Sequence, residues 1–97
     1  LILQDLILSF ENYLKTEKRS PKNTLDSYLR DVGQFLSYCK MNNIKKVTKI
    51  DSNVITKFYD YLYSLGKSQS TVARVSASLR CFFTYLITLT LVPLPMP

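Results

Sequence analysis

The side chains best suited to chemistry in this sequence are cationic and hydroxyl residues that gather where helices are predicted to begin. The first cluster follows Ser20-Pro21 and consists of Lys22, Asn23, Thr24, Ser27 and Arg30, with Lys18 and Arg19 just upstream. A helix N-terminus presents unpaired N–H groups and a partial positive charge, so these residues could help it to hold a phosphate. The alternative is ordinary N-capping by Ser20 or Thr24, with the charges simply solvated.

A second candidate surface lies on the last predicted helix. A rotation of about 100° per residue places a set of mostly small side chains opposite the apolar stripe of Val72, Leu79 and Phe83. The set is Ser70, Arg74, Ala77, Cys81 and Thr84. From Tyr61 onwards the sequence contains no acidic residue. A narrow, acid-free helix face can approach phosphates or a major groove closely, although the same face could instead pack against another domain.

The residues needed for catalysis or for a metal site are missing from the sequence. It has no histidine, no glycine-rich phosphate loop and no nucleophile elbow, and Cys39 and Cys81 stand singly, as expected of buried, reduced thiols. Four of the seven tyrosines fall on or beside apolar stripes and are predicted to be core or rim residues: Tyr13, Tyr28, Tyr61 and Tyr85. We therefore predict no catalytic residue, no metal and no cofactor.

Apolar residues at three- and four-residue steps predict four amphipathic helices that position these clusters. The first spans about residues 2–17. The second spans about 21–41, with Ser20 as N-cap and Pro21 in the first helical position, and it ends near Asn42-Asn43. A weak capping box, Thr48-x-x-Asp51, precedes the third helix, which ends at Gly66. Ser68 is the predicted N-cap of the fourth, which continues past Leu86.

Four helices with short loops predict an all-α fold, in which two helical hairpins pack into one four-helix bundle. No segment alternates with the period of two that a half-buried strand would show. We predict one domain over residues 1–90. Three prolines in the last five residues favour extended chain, so residues 91–97 are predicted to begin a linker to a further domain.

Charge and hydropathy narrow the predicted partners and location. Thirteen Lys and Arg against seven Asp and Glu give a formal net charge of +6, which favours polyanionic partners such as nucleic acid. The longest nearly uncharged run, Cys81 to Val92, is 12 residues, fewer than the roughly 20 that span a bilayer. Because the first residues also lack the features of a signal peptide, we predict a cytoplasmic protein without membrane contact.

Several stretches are similar to a known family. They are Phe10 to Lys15 (FENYLK), Ser20 to Phe35 (SPKNTLDSYLRDVGQF), Val47 to Asp51 (VTKID) with Tyr61-Leu62, and Ser68 to Leu86 (SQSTVARVSASLRCFFTYL). The spacing Asn-Thr-x3-Tyr-x2-Asp, here Asn23, Thr24, Tyr28 and Asp31, carries most weight together with the Ala-Arg…Leu-Arg-x-Phe-Phe run. Over almost its whole length the sequence resembles the core-binding domain of Xer-type tyrosine recombinases and phage integrases.

The resemblance implies a four-helix, SAM-like bundle whose second and fourth helices lie against double-stranded DNA. The implied contacts are Lys22, Asn23, Thr24, Ser27 and Arg30 on the second helix, and Lys67, Ser68, Ser70, Thr71, Arg74 and Ser78 around the fourth. The water-facing sides of the second and fourth helices would form a shallow, cationic, hydroxyl-lined cradle for the sugar–phosphate backbone, with no acidic groups in the gap between them.

The resemblance also implies that this chain is not itself an enzyme. The catalytic residues of the family belong to a separate domain, which closes a C-shaped clamp around the duplex and cuts and rejoins DNA during recombination and integration. The parent would be bacterial or phage-encoded and would work with other recombinase subunits, whereas the isolated chain is expected to be a monomer.

Two alternatives remain open at this stage. A helical adaptor without DNA binding would use the apolar tail of Leu89, Leu91, Val92 and Leu94, because fold alone does not dictate function. A helix-turn-helix regulator would also bind DNA, but helices of about 20 residues are longer than the compact recognition pair of that motif.

Overall fold

The computed structural model describes residues 3–89 and shows four α-helices: α1 (Leu6–Thr16), α2 (Lys22–Met41), α3 (Ser52–Ser64) and α4 (Gln69–Thr88). Short 3-10 turns at Leu3–Asp5 and Val47–Lys49 precede α1 and α3. No β-strand occurs in the described part of the chain, which confirms the all-α prediction. The predicted linker, residues 91–97, lies outside the described residues.

Two helices end at the asparagine and glycine residues where the sequence predicted their ends. Asn43 (φ 60°) follows α2 and Gly66 (φ 85°) follows α3, and both lie in the left-handed region. After α2, the N–H of Ile44 donates to the carbonyl of Cys39 at 2.8 Å. After α3, the N–H of Lys67 donates to the carbonyl of Leu62 at 3.1 Å. Both ends are Schellman motifs, in which a left-handed residue turns the chain back to satisfy the last carbonyl groups.

The helix starts follow the sequence less closely. Ser68 caps α4 as predicted, because its Oγ accepts the N–H of Thr71 at 3.2 Å. The cap predicted at Ser20 is wrong: Pro21 occupies the capping position with ψ 154°, and no side chain caps α2. The capping box is also wrong, since Thr48 lies in the 3-10 turn and Asp51 itself caps α3 by accepting the N–H of Val54 at 2.9 Å.

The helices pack as two hairpins, α1 with α2 and α3 with α4, and the most extensive helix contact joins α2 to α4. Aromatic rings link the hairpins in the core. Phe35 on α2 meets Phe58 on α3 at a centroid distance of 5.1 Å and Phe83 on α4 at 5.8 Å, both edge to face. Phe10 on α1 meets Phe82 on α4 at 5.1 Å. Burial of these rings supplies much of the apolar free energy that stabilises the fold.

The helices α2 and α4 run parallel in a fixed register. Ser27 contacts Arg74, Asp31 contacts Ser78 and Phe35 contacts Phe83, so partners are separated by 47 to 48 residues at each level. The two helices have the same length of 20 residues and start 47 residues apart. Their N-termini therefore lie at the same end of the bundle. None of the helices over residues 3–89 has the length and apolar character needed to cross a membrane.

Candidate nucleic-acid interface

A buried carboxylate joins α2 to α4 about halfway along the two helices. Asp31 is only 1% exposed, and both of its oxygens accept from Nη1 of Arg74, at 2.9 and 3.0 Å. The Ser78 hydroxyl donates to Oδ2 at 2.7 Å, and Nη1 of Arg74 also donates to Oγ of Ser27 at 3.2 Å. Burying a carboxylate is costly unless it is paired and hydrogen-bonded, and this one is both.

The local sequence explains why these four side chains meet. Ser27 and Asp31 are four residues apart on α2, and Arg74 and Ser78 are four residues apart on α4, so each pair occupies one helix face. The parallel register then places the two pairs side by side. We call these four residues the Asp31 cluster. It connects the two surfaces that the sequence predicted separately.

The predicted residues of α2 lie mostly in solvent. Lys22, Asn23 and Arg30 are exposed, whereas Thr24 and Ser27 are half-buried. Because no side chain caps this helix, the N–H groups of its first turn have no side-chain acceptor. A phosphate at this helix start, which the sequence suggested, stays a prediction.

The predicted residues around α4 are partly engaged in structure. Lys67, Ser68 and Ser70 are exposed and Thr71 is half-buried. The capping hydroxyl of Ser68 also lies 3.1 Å from Oγ of Ser70 and donates to Oγ1 of Thr71 at 3.1 Å. The hydroxyl groups at this helix start therefore bond to one another and to the backbone, while Lys67 supplies the exposed charge.

Two expectations about this surface need correction. Ser78 is not a surface residue: it is 1% exposed and its hydroxyl is committed to Asp31, so it cannot reach a ligand directly. The cradle is also not free of acidic groups, because Asp31 lies between α2 and α4. The carboxylate is buried and paired with the guanidinium of Arg74, so it does not present an uncompensated negative charge to solvent.

Sequence reasoning gave Asp31 no role beyond its place in a family motif. The signal that could have revealed it is the matched four-residue spacing on two predicted helices, Ser27 with Asp31 and Arg74 with Ser78, which can pair one acid with one arginine. The rotation of about 100° per residue used in the sequence analysis also placed Arg74 wholly on the outer face of the last helix. In the structure its side chain is 42% exposed, with one nitrogen directed inwards at Asp31. A second cation, Arg30, lies with its Nε 4.0 Å from Oδ1 of Asp31 and is largely exposed.

Other reactive groups lie away from this cluster. Both cysteines are free thiols, and Cys39 is buried as predicted, but Cys81 is only half-buried. Burial raises the pKa of the Cys39 thiol to about 12. Tyr85 is buried and Tyr13, Tyr28 and Tyr61 pack against the core, which confirms their interpretation as core and rim residues. Residues 3–89 contain no group of three or more potential metal ligands.

The geometry defines a small helical bundle module with cationic helix starts. In a comparison with known protein families, the family model described as phage integrase, N-terminal SAM-like domain, matches residues 7–88. The chain belongs to this family, the N-terminal domain of tyrosine recombinases, as the resemblance predicted.

Individual relatives agree with the family model. Tyrosine recombinase XerD of Listeria innocua serovar 6a is 40% identical over 88 residues, which are 88% of this chain and 29% of that protein. Tyrosine recombinase XerC of Thermodesulfovibrio yellowstonii is 35% identical over 83 residues, 86% of this chain and 26% of that protein. The chain thus spans less than a third of the length of these relatives. No solved structure gives a significant match.

Proposed function

We propose that this chain is a DNA-binding domain that grips the duplex through the N-terminal turns of α2 and α4, as part of a site-specific tyrosine recombinase. The observation that carries the proposal is the parallel register of these two helices, fixed by the Asp31 cluster. Each helix begins five residues, or about 7.5 Å, before the contact between Ser27 and Arg74. Two positive helix ends are thus brought to one end of the domain.

The charges at this end of the domain favour a polyanion. Lys22, Arg30 and Lys67 are exposed, and Arg74 is partly exposed. The one exposed acid on α2 is Asp26, and α4 has no acid. Contacts of this kind are made to phosphates rather than to base edges, so they position a duplex without reading its sequence. The contact residues we propose are Lys22, Asn23, Thr24, Ser27, Arg30, Lys67, Ser68, Ser70, Thr71 and Arg74.

The rest of the parent protein completes the proposal. The relatives are named tyrosine recombinases and are more than three times as long as the region they share with this chain. A further domain, reached through a linker that starts at about residue 91, would cut and rejoin DNA, and other recombinase subunits would bind the same site. We propose a cytoplasmic, bacterial or phage-encoded parent.

A salt titration of DNA binding tests the proposal. The 97-residue chain should bind labelled duplex with a Kd of roughly 10⁻⁴ to 10⁻⁶ M at physiological salt, and the affinity should fall steeply as salt rises. K22A should weaken binding and reduce the slope of log K against log salt by about 0.9, the value expected for one lost phosphate contact. Fluorescence anisotropy at several salt concentrations measures both quantities.

K40A is the matched control, because it removes the same charge from the same helix about 27 Å from Lys22, at the other end of α2. It should leave the salt slope unchanged. Binding that ignores salt, or equal effects of K22A and K40A, would contradict the proposed surface. An adaptor module would instead show self-association or partner binding without DNA, which light scattering with and without duplex distinguishes.

A further inference from the structure

The guanidinium of Arg74 is hydrogen-bonded to the described residues through only one of its three nitrogens. All of its hydrogen bonds to described residues come from a single nitrogen, Nη1, which donates to Asp31 and to Ser27. Within residues 3–89, neither Nε nor Nη2 donates to any atom, and 42% of the side chain is exposed. An arginine carries five N–H donors in a rigid plane, so fixing one nitrogen fixes the direction of the others.

We propose that Asp31 is a positioning residue for DNA binding: it holds Arg74 by one nitrogen so that the opposite edge of the guanidinium is presented to a phosphate of the backbone. This inference rests on the proposed function and extends it to a residue that cannot touch DNA itself. Asp31 is 1% exposed, so any effect of its substitution on DNA affinity must act through its neighbours or through charge.

The geometry favours positioning over a simple link between the helices. A fork-to-fork pair, in which two guanidinium nitrogens face two carboxylate oxygens, would use a whole edge of Arg74 and leave less for a ligand. Here one nitrogen faces both oxygens, at 2.9 and 3.0 Å. The Ser78 hydroxyl, 2.7 Å from Oδ2, fixes the carboxylate from the other helix. An ordered donor loses less conformational entropy when it binds a phosphate than a free surface arginine would.

The substitution D31N separates positioning from charge by the sign of its effect. Asparagine has the same shape but is neutral and carries an NH₂ donor in place of one carboxylate oxygen, so Nη1 of Arg74 loses its ion pair and one of its two acceptors on residue 31. If only net charge mattered, removing an acid would tighten DNA binding. If Asp31 positions Arg74, D31N should weaken binding about tenfold, as expected for the loss of one charge-assisted hydrogen bond.

D26N is the matched control, because it makes the same change of charge on the same helix at an exposed position. D26N should tighten DNA binding slightly.

The double variant D31N/R74A should bind DNA no more weakly than R74A alone, because Asp31 acts through Arg74. Circular dichroism and melting temperature confirm that each variant is folded. Arg74 can turn into solvent in D31N, so this variant leaves no buried, unpaired charge.

R74K provides a second test that does not alter the buried carboxylate. Lysine keeps the positive charge and can still pair with Asp31, but its single ammonium group has no second edge for phosphate. We expect R74K to bind DNA about as weakly as R74A. Wild-type affinity in R74K, or tighter binding in D31N that equals the effect of D26N, would overturn the role of Asp31. A wild-type chain that binds no DNA would overturn the proposed function itself.

Discussion

Asp31 is the one charged side chain that is fully buried within residues 3–89. Its burial depends on two partners on α4: Arg74 supplies a cation and Ser78 supplies a hydroxyl donor. No buried side-chain nitrogen or oxygen in the described part of the chain lacks a hydrogen-bond partner. Removing one partner from a buried ion pair is strongly destabilising, by about 3–5 kcal/mol when the remaining charge stays buried. The half-exposed Arg74 can escape into solvent, which makes the acid the more constrained member of this pair.

The two cysteines should differ in reactivity because of their surroundings. Burial raises the pKa of the Cys39 thiol to about 12, which leaves about one molecule in ten thousand as thiolate near pH 8. The pKa of Cys81 is also raised by burial, but nearby Lys18 opposes the shift and the side chain is only half-buried. We expect iodoacetamide to modify Cys81 at least ten times faster than Cys39 in the folded protein.

Peptide mass spectrometry over a time course measures the two alkylation rates. C81S is the control, since it should abolish the fast phase and leave the slow one. In denaturant the two cysteines should react at similar rates, because the difference depends on folding. Faster modification of Cys39 than of Cys81 in the native protein would contradict the buried position of Cys39.

Among the elements, helix ends were easier to predict than helix starts. Asn43 and Gly66 adopt the left-handed conformation that their residue types favour, and few other residues would fit there. At a helix start, serine, threonine and aspartate are nearly equivalent as caps, so the sequence Thr48 to Asp51 contains two candidates. Only the backbone decides between them, and it places Asp51 at the cap. Near Ser20, the fixed geometry of Pro21 puts the proline itself in the capping position.

The two glycines offer opposite tests of element geometry. Gly33 lies inside α2, and a Cβ added there would meet nothing within 4 Å. G33A should raise the free energy of unfolding by about 0.5–1 kcal/mol, because alanine restricts the unfolded chain and favours helix. Gly66 has φ 85°, where a side chain is strained, so G66A should lower the free energy of unfolding by about 1–2 kcal/mol.

Thermal unfolding followed by circular dichroism compares the two variants directly. For a chain of this size, 1 kcal/mol corresponds to a shift in Tm of about 4–8 °C. G33A should therefore melt above the wild type and G66A below it. Each variant is the control for the other, since both make the same chemical change. Equal shifts in the same direction would be inconsistent with the backbone conformations described above.

At the scale of the whole molecule, the sequence predicted the helices and the apolar stripes but not their register. Periodicity assigns Phe35 and Phe83 to buried faces, yet it does not say that these two rings meet. The same limit explains the error at Ser78. The family resemblance implied a DNA contact for Ser78. Nothing in the sequence argued against it, since a serine is usually exposed and this one lies about 40° from Arg74 on a helical wheel. Its burial follows from the packing of α2 against α4 and from the acceptor that Asp31 provides there.

The contacts between the hairpins predict that the domain unfolds as one unit. Phe35 on α2 packs against both Phe58 on α3 and Phe83 on α4, so neither hairpin keeps its core without the other. Far-ultraviolet circular dichroism and tyrosine fluorescence should give coincident denaturant transitions, because the seven tyrosines are spread over both hairpins.

F35A should destabilise the fold by about 3–5 kcal/mol and move both transitions together. L8A, at a side chain 73% exposed, should change stability by less than about 0.5 kcal/mol. A helical signal that persists in F35A after the fluorescence transition would show that one hairpin folds independently, contrary to the packing described here.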